Sequence, residues 1–223
     1  MRAVSLVPSI TESLLAWGVT PTACTKYCEQ PQLLHVGGTK NPDIDAIVAL
    51  APDVVLVDRV ENRKEDADAL MARGIHVVDI DVQLLSDVSA QMAIVAEAVG
   101  VEMAPIATPS VSAITRAAFV PIWRRPWMTI GAQTYGSTLL EALGIGNVFA
   151  DAATDFPEVD LDQVAARSPD LVLVPSEPYE FNADHLEELS VVGGQIIEVD
   201  GQDLFWWGAR TPAAIDRLRT KLA

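Results

Sequence analysis

Residues 43–57 read DIDAIVALAPDVVLV, and residues 160–174 read DLDQVAARSPDLVLV, a gap-free correspondence at a constant offset of 117. Self-similarity of this kind marks an internal repeat. Each copy opens on two aspartates, continues through a short helical stretch to a Pro-Asp turn, and ends in an apolar run that reads as a buried strand. A second correspondence lies upstream. Ser5-Leu6-Val7 leads through a short loop into Thr11–Gly18, and Thr129-Ile130-Gly131 leads similarly into Ser137–Gly144. Both copies therefore predict strand, loop, helix, irregular segment, helix, Pro-Asp turn, strand. Such alternation favours parallel sheets covered by helices, an α/β fold class.

The segment separating the copies has a different pattern. Leu84, Leu85, Val88, Met92, Val95, Ala96 and Val99 form a helical stripe, and Gly100 suits its C-terminal stop. Pro105 and Pro109 follow, and Ser110 is expected to cap a second helix carrying Val111, Ile114, Ala117 and Ala118. The chain thus divides into an N-terminal lobe at 1–82, a helical connector at 83–122 and a C-terminal lobe at 123–223. Two lobes joined in this way predict a ligand cleft between them, since small-molecule sites favour domain interfaces.

Composition narrows the partners. The 223 residues include 31 acids and 15 bases, for a formal charge of −16. A field of that sign repels phosphate backbones and anionic headgroups, so neither nucleic acid nor an acidic membrane is expected as a partner. No apolar run approaches the ~20 residues that span a bilayer. The stretch Met1–Val7 enters a strand pattern at once, without a charged leader or small-residue cleavage site. As written the chain reads as cytoplasmic, or as extracytoplasmic if a leader precedes it. A monomer is expected.

In parallel α/β sheets, ligands gather beyond the carboxyl ends of the strands. That rule selects loops containing Pro8, Tyr27, Lys40 and Arg59 in the first lobe, and Tyr135, Tyr179, Phe205, Trp206 and Trp207 in the second. Aromatics are only 6% of the chain, so their appearance in these loops points to a flat or ring-bearing ligand. Trp206 and Trp207 are adjacent and should face opposite ways, one packing and one facing the cleft. Lys40, Arg59 and Arg63 are cations in an acidic chain. They would hold an anionic group on a ligand, or else pair with Asp58, Glu61 or Glu65.

Catalytic signatures are missing. Gly144-Ile145-Gly146 lacks the third glycine of a dinucleotide fingerprint and follows a helix, which disfavours an oxidoreductase of that class. Gly37-Gly38-Thr39-Lys40 lacks phosphate-loop spacing, and no His-Glu-x-x-His occurs. Cys24 and Cys28 with His35 could begin a soft-metal site but have no fourth ligand, so buried or reactive thiols are the simpler reading. No catalytic residue, bound metal or required cofactor is expected. A tetrapyrrole-acting enzyme would have to use His185 or Glu177.

The motifs Val7-Pro8-Ser9-Ile10-Thr11-Glu12, Ile47–Asp53 and Ala166-Arg167-Ser168-Pro169-Asp170 resemble those of the class III, helical-backbone metal receptor superfamily. These are substrate-binding proteins of ABC importers, among them cobalamin, ferric-siderophore and haem receptors. The resemblance covers nearly the whole chain. It implies two Rossmann-like lobes joined by a rigid helix, with a metal chelate held between them. Cobalamin or another corrinoid is the first choice of ligand, and a ferric siderophore or haem the alternative. It further implies that Asp45 and Asp162 stand where the cobalamin receptors carry surface acids that dock on importer membrane subunits. Trp206 matches the tryptophan they place against the corrin. Thr39-Lys40 stands where those receptors have another tryptophan, and the phrases Val60–Arg63 and Ser176–Phe181 look like a leaderless subgroup.

Overall fold

The structure is a computed structural model that describes residues 1–109 and 113–223. The chain forms two compact units. The first comprises Met1–Ala107 with Trp207–Arg210, and the second Thr108–Trp206 with Thr211–Ala223. Of the segment expected to connect two lobes, residues up to 107 thus fall in the first unit and the remainder in the second.

The first unit is built on a five-stranded parallel sheet in the order Leu34–His35, Ala23–Cys24, Ala3–Ser5, Val54–Asp58, Val77–Ile80. Val54–Asp58 is buried along its whole length, as its unbroken apolar run requires of a strand covered on both faces. Val4, Leu6, Ile47, Val55, Val57 and Leu70 meet in one core. The second unit holds a four-stranded parallel sheet in the order Ile145–Asn147, Arg116–Phe119, Leu171–Pro175, Gln195–Val199. Its core gathers Phe119, Phe149, Val164, Val172, Val174 and Leu189. Parallel sheets in both halves agree with the fold class read from the repeat.

The repeat is physical at each of its punctuation marks. Asp43 caps the helix Ile44–Ala49 by accepting from the Ala46 N–H at 2.9 Å, and Asp160 caps Leu161–Ala166 by accepting from the Gln163 N–H at 2.7 Å. Ala51 and Ser168, which precede the two Pro-Asp pairs, both adopt positive φ, 45° and 51°. The aspartates then clamp the neighbouring strand. Asp53 donates its N–H to the Arg2 carbonyl at 2.8 Å and accepts the Arg2 N–H at 2.6 Å; Asp170 does the same with Ala117 at 2.8 and 2.7 Å. Strand register is therefore set by the aspartate that the sequence repeats.

Two expectations change. Ile114, Ala117 and Ala118 do not lie on a helix: Ala117 and Ala118 belong to the strand Arg116–Phe119, which pairs with Ile145–Asn147 and with Leu171 and Val172. Ser110 and Val111 lie outside the described residues. The second-copy equivalent of the first strand is consequently Arg116–Phe119. The segment first matched to it, around Thr129, instead ends the strand Trp127–Thr129. That strand sits in a small antiparallel sheet with Pro121–Trp123 and Glu158–Val159. The expected helical stripe is present as Val88–Val99, with Gly100 at φ 71° closing it, and residues 100–109 carry no regular structure. Among the described residues no helix is long and apolar enough to cross a membrane.

Candidate functional site

Because each main sheet is parallel, its strand-end loops emerge along one edge. In the first unit Pro8 opens the helix Pro8–Ala16, where its fixed φ suits the first helical position. The loop after Val54–Asp58 is held from inside by Asp58. One carboxylate oxygen accepts the Val60 and Glu61 N–H groups at 2.9 and 3.1 Å, and the other accepts the Val82 N–H at 3.0 Å. Asn62 completes the lock by donating to the carbonyls of Leu6 at 3.2 Å and Thr39 at 2.9 Å. Burial pushes the Asp58 carboxyl above its ordinary range, and the three N–H donors pull the other way. Asp58→Asn should destabilise the first unit by about 1–3 kcal/mol, because the new amide would turn a donor toward the buried Val82 N–H. Urea unfolding checks this, and a change under ~0.5 kcal/mol would show that the loop does not depend on the carboxylate.

Two of the three candidate cations, Lys40 and Arg59, already have partners. Lys40 Nζ donates to the Val60 carbonyl at 2.6 Å. Arg59 pairs with Asp79 at 3.0 Å and Asp81 at 3.6 Å, acids of a different strand-end from the ones expected. Arg63 is exposed at the start of the helix Lys64–Ala72. Tyr27 is the open aromatic of this edge, 54% exposed, with the Lys26 ammonium 5.0 Å from its ring centre and its edge against Gly38. Trp207, expected near a ligand, is 3% exposed and donates its N–H to Ser9 Oγ at 3.3 Å.

The second unit concentrates its rings. Trp123 meets Tyr179 edge-on at 5.1 Å, and Tyr179 meets Phe181 at 4.9 Å. Phe181 stacks on Trp127 at 5.9 Å with planes 5° apart, and His185 lies 5.6 Å from Tyr179. Trp123 follows the strand Arg116–Phe119 and Tyr179 follows Leu171–Pro175, so the group stands at the carboxyl ends of two adjacent strands. Trp123 is 45% exposed and Tyr179 half-buried, which leaves ring faces open to a ligand. Arg124 steadies the group from behind. It lies 5.7 Å from the Trp127 ring and forms an ion pair with Glu188, donating from Nε at 2.8 Å.

Of these residues, the loop pattern singled out only Tyr179. Trp123, Trp127 and Phe181 were not assigned, although a Trp on either side of Arg124-Arg125-Pro126 is a hairpin signal. Phe205 packs its ring against Gly136, and Trp206 beside it is half-buried at the end of the helix Gly201–Phe205. Tyr135, also expected on this edge, is buried to 6% with its hydroxyl 3.2 Å from Thr211 Oγ1. Its place at the start of the helix Tyr135–Ala142 turns it into the core.

Residues 4–105 match the periplasmic binding protein family. A vitamin B12-binding protein of Salmonella paratyphi A is 26% identical over 197 residues, covering 81% of this chain and 74% of the relative. Among solved structures, a periplasmic heme-binding protein from Roseiflexus sp. RS-1 superposes with a TM-score of 0.81 at 22% identity, covering 99% of this chain and 97% of that one. The periplasmic vitamin B12 binding protein of Vibrio cholerae gives 0.76 at 19%, covering 99% and 96%. The chain shares the fold of these two periplasmic binding proteins.

The repeat places Asp45 and Asp162 on equivalent first turns of the capped helices. Both are exposed, and Asp45 accepts from Arg73 Nη1 at 2.8 Å. Cys24, Cys28 and His35, set aside above as a soft-metal site, lie in different surroundings. His35 is exposed and its Nε2 lies 3.0 Å from the Gln30 carbonyl, while Cys24 and Cys28 are buried together. Among the described residues no group of three or more His, Cys, Asp or Glu side chains is placed to hold a metal ion. His185 Nδ1 accepts the Asn182 N–H at 3.1 Å, closing a reciprocal cap on the helix Ala183–Leu189. Glu177 lies against Gly201, where a Cβ would come within 2.7 Å of its backbone N.

Proposed function

We propose that this protein is a non-catalytic solute-binding protein for a metal chelate, cobalamin or another corrinoid first. The observation that carries the reading is the aromatic group of exposed Trp123 and half-buried Tyr179, backed by Phe181 and Trp127, at the carboxyl ends of two adjacent parallel strands. A flat macrocycle gains about 0.5–1.5 kcal/mol from each ring it meets beyond simple burial. Phe205 and Trp206 supply further aromatic surface in the second unit. Lys40 and Arg59 act through their loops, since their charges are already engaged. The relatives named for vitamin B12 support the ligand class. Haem is the second reading, favoured by the His185 imidazole 5.6 Å from the Tyr179 ring and by the heme-binding protein from Roseiflexus. As in an importer receptor, Asp45 and Asp162 serve as the docking acids for membrane subunits, and the protein works outside the cytoplasmic membrane.

Titration with cyanocobalamin, haem and a ferric siderophore tests the reading, followed by tryptophan emission and visible absorption. Quenching by at least one of them with Kd at or below about 1 μM is expected, a free energy near −8 kcal/mol. No response from any of the three would end the proposal. A haem spectrum altered by His185→Ala, with cobalamin silent, would select the second reading. Lysine at both Asp45 and Asp162 should leave the titration unchanged while abolishing stimulation of a reconstituted importer.

A further inference from the structure

Cys24 and Cys28 are the only cysteines, and the proposed ligand site uses neither. Cys24 ends the strand Ala23–Cys24, and Cys28 ends the 3-10 turn Lys26–Cys28, which the Cys28 N–H closes onto the Thr25 carbonyl at 3.1 Å. Both side chains are buried, at 0% and 2% exposure, and the two thiols interact electrostatically. Two hydroxyls converge on the same Cys28 sulfur. Thr11 Oγ1, from the helix Pro8–Ala16, donates at 3.2 Å, and Thr25 Oγ1 lies at 3.3 Å. Both threonines are fully buried. Buried thiols in apolar surroundings are inert, whereas this one is wrapped in groups that favour the thiolate.

We propose that Cys24 and Cys28 are a reversible dithiol–disulfide pair, a modification site seated beneath the turn that carries Tyr27. Cys28 is the attacking thiol and Cys24 the resolving one. The neighbouring Cys24 thiol, followed by the hydroxyls of Thr11 and Thr25, pulls the Cys28 thiol down, while Cys24 is pushed up by Cys28 and by burial. The oxidant is a small disulfide such as oxidised glutathione. The Cys28 thiolate attacks one of its sulfurs, breaks that S–S bond and expels one glutathione thiolate. Cys24 then loses its proton and attacks the Cys28 sulfur, forming the intramolecular bond and releasing the second glutathione. Two electrons pass from the cysteines to glutathione, and the cysteine protons leave as the two glutathione thiols. Lys26 and Tyr27 are exposed on the intervening turn, so local opening of that turn admits the reagent.

Sequence proximity alone would let these cysteines join in an unfolded chain, so the test compares the two states. Purified protein is equilibrated with graded mixtures of reduced and oxidised glutathione, once folded and once in guanidinium chloride, then acid-quenched and weighed. The folded protein should lose about 2 Da, with peptides linked through Cys24 and Cys28. It should be half-oxidised at an oxidant ratio at least ~10-fold lower than the denatured chain, because the fold holds the sulfurs together. An equal or higher ratio for the folded protein would overturn the proposal. So would glutathione adducts or crosslinked dimers as the only oxidised products.

Discussion

Gly208→Ala lowers the stability of the first unit by about 3 kcal/mol and its melting midpoint by roughly 6–12 °C. Gly208 sits at φ 104°, a conformation that costs any residue with a Cβ about 1–3 kcal/mol. A Cβ there would also overlap Ser13 Oγ and come within 3.5 Å of the Met92 sulfur. Neither neighbour can move freely. Ser13 Oγ donates to the Ser9 carbonyl at 2.8 Å and accepts the Ala209 N–H at 3.0 Å, and Met92 is fully buried. The four residues Trp207–Arg210 are seated along one face of the helix Pro8–Ala16, with Arg210 pairing to Glu12 at 3.1 Å. Thermal and urea unfolding read the loss. In a Ser13→Ala background the same glycine substitution should cost at least ~1 kcal/mol less, since the atom it strikes is gone. A wild-type midpoint for Gly208→Ala would show that these four residues are not tightly seated.

The double substitution Trp123→Ala with Tyr179→Ala weakens chelate binding roughly 100-fold, about 3 kcal/mol. Each ring removes about 1.5 kcal/mol of stacking and burial, the upper part of the range for aromatic contacts. The loss is expected in affinity rather than folding. Trp123 is 45% exposed, and Trp127 and Phe181 remain stacked on one another beneath the pair. The titration described above measures it, with circular dichroism as the folding control. Unchanged affinity in a folded double variant would move the ligand away from these rings and leave Phe205 and Trp206 as the aromatic surface to test.

The repeat was legible because its signals are local. Asp43 and Asp160 cap the helices that directly follow them, and Asp53 and Asp170 sit beside the strands they start. The strand Arg116–Phe119 was not legible. Its alanines favour helix by intrinsic propensity, and only pairing with residues far along the chain makes them a strand. The site was half visible for a related reason. Tyr179 stands in an obvious strand-end loop, but Trp123 and Trp127 lie in an antiparallel insertion that the α/β pattern does not foresee. Of the adjacent pair at 206 and 207, Trp207 is buried and Trp206 partly open. Tyr135 misled because a loop-like sequence position became the first turn of a helix, and a side chain there faces inward.

The seating of Trp207–Arg210 also bears on the order in which the molecule can be made. A ribosome that has released the first 107 residues has delivered most of that half but not the strip that completes it. At translation speeds of about 5–20 residues per second, the missing strip follows roughly 5–20 s later. During that interval Ser9, Glu12 and Ser13 lack the strip they meet in the finished fold, so the first unit can complete its packing only after most of the second has been made.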